Sequence, residues 1–113
     1  MSERNPFGGT ISHLSPSEVR EGLADGTILL VDVREPNEIQ AERIPGAVNF
    51  PLSTWDPTAL PDPAGKRLVF SCRSGQRSQQ AAAAAQKAGL AYEEHMKGGI
   101  IGWREAGFEV ERG

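Results

Sequence analysis

One cysteine, Cys72, and two histidines, His13 and His95, are all that this 113-residue chain has of the side chains that make disulfides and most often bind metals. A lone thiol cannot close an internal disulfide, which fits a reducing compartment and leaves the sulfur free for chemistry. The histidines stand far apart in the sequence and share no ligand spacing with Cys72. Both are therefore expected to be ordinary strand residues, and neither a metal site nor a cofactor is expected. No charge of one sign dominates, because 12 Lys and Arg are interspersed with 15 Asp and Glu for a formal net charge of -3. That balance argues against a face built for nucleic acid. No stretch reaches the roughly 18 apolar residues of a membrane-spanning helix. The opening Met1-Ser2-Glu3-Arg4-Asn5-Pro6 has no apolar segment of the secretory kind, so a cytoplasmic protein is expected.

At 12.2 kDa the chain has material for one core and not for two. Residues 1–9 carry Ser, Asn, Pro and Gly with little apolar content and are expected to form a flexible leader before a domain spanning 10–113. Thr10 to Leu14 reads as a short edge strand. Ser15-Pro16-Ser17-Glu18 then has the form of a capping box with Pro at the first helical position, predicting a helix to about Ala24. Ile28 to Val33 is nearly continuous in apolar residues, the pattern of a central strand covered on both faces. A short helix from Pro36 to about Arg43 and a short strand from Ala47 to Phe50 follow. An irregular connection over 56–65 holds three prolines. A strand from Lys66 to Ser71, a helix from Ser78 to Ala88, a strand from Ala91 to His95 and a helix from Ile100 to Ala106 complete the chain. Such alternation implies an α/β fold with a small parallel sheet flanked by helices, whose ligands gather at the carboxyl ends of the strands.

Cys72 lies at such an end. The strand Leu68-Val69-Phe70-Ser71 fixes the sulfur, and the loop Cys72-Arg73-Ser74-Gly75-Gln76-Arg77 runs from it into the alanine-rich helix. Loop amides and the first N–H groups of a helix make an anion cradle, and Gly75 supplies the positive φ that a tight turn of inward-facing amides requires. Arg73 and Arg77 add positive charge, while Ser74 and Ser78 offer hydroxyl donors. Helix end and cations both favour thiolate over thiol, so a reactive, anion-binding sulfur is expected. Asp32 and Arg34, at the end of the neighbouring strand, are expected to form a structural ion pair with neighbours such as Glu38 and to serve at most a supporting role. Trp103 and Phe108 are assigned to the core or its rim, and Trp55 to a position over the cleft.

The loop from Cys72 to Ser78, together with Asp32-Val33-Arg34-Glu35, Glu38, Ile44-Pro45-Gly46-Ala47, Gly98-Gly99 and Trp103, resembles the single-domain rhodaneses, which are thiosulfate sulfurtransferases. The likeness runs from about Thr10 to Arg112. It departs from the family at Arg43, where many members carry His, and at Ile39, where an aromatic is common. The resemblance implies that Cys72 takes a sulfane sulfur from a small anionic donor such as thiosulfate, becomes a persulfide, and passes the sulfur to an external thiol or to cyanide. Arg73, Ser74, Gly75, Gln76, Arg77 and Ser78 then form the binding loop, with Arg73 and Arg77 expected to hold the donor's sulfonate. Cysteine-dependent phosphatases and arsenate reductases share the fold but separate Cys and Arg by a spacing about one residue longer, which leaves room for a tetrahedral phosphoryl group. A non-catalytic binding module of the same fold is the remaining alternative.

Overall fold

The computed structural model describes residues 2–113. Its elements in chain order are β1 (Ser2–Arg4), β2 (Thr10–Leu14), α1 (Pro16–Asp25), β3 (Ile28–Asp32), α2 (Pro36–Ala41), β4 (Glu42–Arg43), β5 (Val48–Asn49), β6 (Arg67–Ser71), α3 (Gln76–Lys87), β7 (Glu94–Met96), α4 (Gly99–Glu105) and β8 (Glu111–Arg112). Six strands form one sheet in the order β1-β2-β7-β6-β3-β5, and β4 pairs with β8 in a separate ribbon. All neighbours in the main sheet run parallel except β1, which pairs antiparallel with β2.

The sheet is covered on both faces because its strands alternate between two apolar clusters. Val31, Leu68 and Phe70 face α3 and its buried Ala81, Ala82 and Ala85. Leu30 and Val69 face the opposite side with Val19 of α1 and Ile100 and Trp103 of α4. Alanines at positions 81, 82 and 85 recur at helical spacing, and their small side chains let α3 lie close against the strands. The α1 start follows its sequence signature: Ser15 Oγ accepts from Glu18 N at 3.1 Å, and Ser15 N donates back to Glu18 Oε1 at 3.0 Å. Gly26, at φ 79°, ends the helix in the left-handed region.

Several boundaries differ from the sequence expectation. Helix α2 stops at Ala41, and Glu42–Arg43, expected as its last turn, is strand β4 paired with β8. Residues 2–9 do not stand apart as a leader, because Ser2–Arg4 forms the outermost strand and covers β2, which is therefore not an edge. Asn5 fixes this segment: it is 2% exposed, donates from Nδ2 to Gln79 O at 2.8 Å, and accepts from Phe7 N at Oδ1. Helix α3 begins at Gln76, two residues before the expected Ser78, because Gly75 takes φ 107° and turns the chain into the helix at once. Strand β7 is confined to Glu94–Met96 and does not reach back to Ala91.

Trp103 is 4% exposed, stacks edge-on against Phe108 and donates from Nε1 to Glu109 O at 2.7 Å. Trp55 packs against Phe50 and Phe70 at centroid distances of 5.6 and 6.1 Å, on the face that α3 covers. Among the described residues no helix is long and apolar enough to cross a membrane.

Candidate active site

Cys72 follows directly on β6, between β3 and β7, and its residue is 1% exposed. The loop curls over it so that Gly75 N donates to Cys72 Sγ at 3.1 Å. An N–H aimed at sulfur at this distance stabilises negative charge there, and the first N–H groups of α3 beyond it have no carbonyl partner within the helix. Gly75 is needed for its φ of 107°, and a Cβ there would also crowd Gly98 N at 3.3 Å.

The loop is held in this inward shape from behind by α4. Ile100 N donates to Cys72 O at 2.9 Å and Ile101 N donates to Arg73 O at 3.1 Å. With these two carbonyls turned outward, the amides that follow them are free to turn towards the sulfur. Only glycine fits where α4 meets the loop. A Cβ on Gly99 would stand 2.4 Å from Cys72 O and 2.5 Å from Arg73 O, at φ 58°. The Gly98-Gly99 pair thus has a physical reason that lies in the tertiary contact and not in the local turn.

The two arginines divide. Arg73 is exposed and makes no side-chain hydrogen bond among the described residues, as are Ser74 and Gln76 exposed beside it. Arg77, expected to face the anion, instead donates from both terminal nitrogens to the Glu38 carboxylate, at 2.7 and 2.9 Å. These hydrogen bonds hold the Glu38 carboxyl down to about 2 and raise Arg77 from its ordinary value. Glu38 is itself fixed by accepting from Glu35 N at 3.0 Å. Arg77 is therefore a brace between α3 and α2. Its guanidinium is occupied because α2 brings a carboxylate beside the loop, a contact that spacing within the loop does not reveal.

Asp32 and Arg34 are both buried and pair with each other, not with Glu38. Arg34 Nε donates to Asp32 Oδ1 and Oδ2 at 3.1 and 3.0 Å, and its Nη2 donates to Asp32 Oδ2 at 2.9 Å. Arg34 Nη2 also donates to Glu42 O at 3.0 Å, which ties the end of β3 to the β4–β8 ribbon. The pair stands at the end of β3, beside the strand that delivers Cys72.

The histidines do not behave as separate strand residues. Parallel register sets His13 of β2 directly beside His95 of β7, on the face towards α3. His95 Nε2 lies 2.6 Å from His13 Nδ1, and His95 Nδ1 lies 2.7 Å from Ser78 Oγ. Ser78 Oγ is in turn 3.5 Å from Cys72 Sγ, so the thiol is the inner end of a chain of polar side chains. Burial, with the nearby His13, pushes His95 down to about 4. It is neutral at ordinary pH, with one ring nitrogen donating and the other accepting.

The profile of the family described as Rhodanese-like domain matches residues 15–106. A sulfurtransferase of Allochromatium vinosum is 33% identical over 101 residues, covering 88% of this chain and 94% of that protein. Human thiosulfate:glutathione sulfurtransferase is 32% identical over 106 residues, covering 81% of this chain and 92% of the relative. An uncharacterised Synechocystis protein, slr1261, is 36% identical over 94 residues; this chain covers 83% of itself in that match but spans only 52% of the relative. Among solved structures, a human single-domain sulfurtransferase aligns with a TM-score of 0.69 at 33% identity, covering 82% of this chain and 95% of the other. A Rhodopseudomonas palustris protein described as a possible tyrosine phosphatase aligns with a TM-score of 0.72 at 34% identity, covering 89% and 85%. The family match over residues 15–106, together with these relatives, shows that the chain belongs to the rhodanese-like domain family.

Proposed function

We propose that this protein is a sulfurtransferase in which Cys72 carries the sulfur as a persulfide. The Cys72 thiolate attacks the outer sulfur of thiosulfate or of another sulfane donor. A new bond forms between Sγ and that sulfur, the donor's S–S bond breaks, and the electron pair leaves on sulfite, or on the thiolate of a persulfide donor. An external thiol or cyanide then attacks the outer sulfur, and Cys72 departs as thiolate, giving covalent, double-displacement catalysis. The observation that carries this reading is the Gly75 N–H 3.1 Å from Sγ in a loop whose first carbonyls are turned away by α4. An oriented donor in a site largely closed to water favours an anionic sulfur before and after transfer. With Arg77 committed to Glu38, Arg73 is the cation at the loop that can draw in an anionic donor. The acceptor comes from outside, because the chain holds no second thiol.

Phosphate-ester hydrolysis is the competing chemistry, raised by the description of the Rhodopseudomonas neighbour. It fits this loop less well. A phosphoryl dianion over the sulfur calls for a free guanidinium at the end of the loop, and Arg77 is engaged. Four residues also intervene between Cys72 and Arg77, which makes a tight ring. Intact-mass measurement after incubation with thiosulfate tests the reading. A gain of one sulfur atom on Cys72, removed by cyanide, is expected; an unmodified Cys72 after incubation with thiosulfate and with a glutathione persulfide would overturn it.

A further inference from the structure

The side chains behind Cys72 form an unbroken path to the surface. From the sulfur it runs to Ser78 Oγ at 3.5 Å, to His95 Nδ1 at 2.7 Å, from His95 Nε2 to His13 Nδ1 at 2.6 Å, and from His13 Nε2 to Glu3 Oε1 at 3.0 Å. Burial falls along the path. Ser78 and His95 are 0% and 1% exposed, whereas the His13 and Glu3 side chains are 30% and 67% exposed. Every member but the last has one hydrogen to give and one lone pair to receive it. A single direction satisfies the full chain: Cys72 S–H to Ser78, Ser78 O–H to His95 Nδ1, His95 Nε2–H to His13 Nδ1, and His13 Nε2–H to the Glu3 carboxylate.

We propose that Ser78, His95, His13 and Glu3 are a proton relay that carries the Cys72 proton between the buried sulfur and the surface. The step balances without any redox partner. The sulfur loses a proton to Ser78 as Ser78 passes its own to His95 Nδ1. His95 gives its Nε2 proton to His13 Nδ1, His13 gives its Nε2 proton to Glu3, and Glu3 releases it to water. The sulfur keeps the electron pair of the broken S–H bond and becomes a thiolate, while Ser78 and both imidazoles end neutral. Both rings then carry their proton on the opposite nitrogen. Returning a proton to the sulfur whenever it goes back to its thiol form restores the first tautomers, so the path resets without a ring flip.

Three observations support transport over a merely structural network. The sulfur is nearly shielded from solvent, so its proton needs a route. A His95 that stays neutral is suited to pass a proton in one side and out of the other. The segment that supplies Glu3 is anchored by buried Asn5, which holds the outer end of the path in place. The groups that face the two rings are few. Ser78 comes from α3, Glu3 from β1, and β6 presents the apolar Phe70 beside His95. Ser78 touches the reacting sulfur, whereas His95, His13 and Glu3 act through it.

The inference rests on Cys72 as the reacting group but not on any sulfur donor. It is tested by the rate at which the Cys72 S–H becomes S–D in D2O, followed by the S–H stretch, on the full chain and on His95→Gln and His13→Gln. Glutamine keeps a donor and an acceptor but does not pass a proton through, and His13 is exposed enough for its variant to fold. Both variants should exchange about tenfold or more slowly near neutrality. Unchanged exchange in folded His13→Gln, or no S–H band in the wild type, would overturn the relay. A relay signature in a protein without sulfur transfer would leave the relay standing and remove only the proposed activity.

Discussion

Arg77 and Glu38 face each other across the loop edge in a two-point hydrogen-bonded pair, at 2.7 and 2.9 Å, which makes the loop's last arginine a strut between α3 and α2. Arg77→Ala should therefore unfold more easily, by about 1–2 kcal/mol, because a charge-assisted pair is lost and Glu38 is left partly buried without its partner. The Michaelis constant for thiosulfate should move less than it does in Arg73→Ala. Denaturant titration and steady-state kinetics on both variants separate the two roles.

The same pair makes an acid-side prediction. Glu38 is held down to about 2 in the fold, below its ordinary value of 4.5. Its contribution is full above the unfolded value and drains away as pH falls from there towards about 2. Urea unfolding across that window should show a shallower loss of stability in Glu38→Gln than in the wild type. Identical slopes would mean that the pair is not held in solution.

His95 contributes to pH dependence in a higher window. Burial lowers it from 6.5 to about 4. The unfolded chain therefore takes up a proton that the folded chain refuses, and stability declines as pH falls from about 6.5 to about 4 and then levels off. His95→Gln should flatten that segment of the stability profile. Retention of the full slope in the variant would assign it to other groups.

Gly99→Ala should disable the loop. Its Cβ would lie within 2.5 Å of the Arg73 carbonyl carbon and oxygen and 2.4 Å from Cys72 O, and its φ of 58° is unfavourable for a side chain. A stability loss of about 1–3 kcal/mol is expected, with Cys72 reactivity lost out of proportion to it, since the clamp orients the loop amides. Thermal unfolding and thiol alkylation on the same sample check both parts. Wild-type reactivity in that variant would separate the clamp from the chemistry.

Much of this architecture was legible in the sequence. The capping box at Ser15, the continuous apolar run of β3 and the alanines of α3 each state their role within a few residues. Cys72 followed by a glycine-bearing loop and a helix signals in the same local way a loop that brings an N–H to the sulfur. The remainder lies in contacts between distant segments. Nothing near His13 or His95 signals that β2 and β7 will pair in the register that joins them, because the two strands are neighbours in space and not in the chain. Glu38 is likewise remote from Arg77, so the loop's second arginine reads as free until α2 is in place. Strand β1 has no apolar alternation to announce it; it is fixed by antiparallel pairing with β2 and by buried Asn5, whose role no local pattern reveals.

The central claim is that Cys72 transfers sulfur, and thiocyanate formation from thiosulfate and cyanide tests it most directly, with the protein and its Cys72→Ser variant run side by side. Turnover by the protein and none by the folded variant is the expected result. Equal turnover in Cys72→Ser, or none in either with the Cys72 thiol shown to be free and reduced, would contradict a thiosulfate-driven cycle through this sulfur.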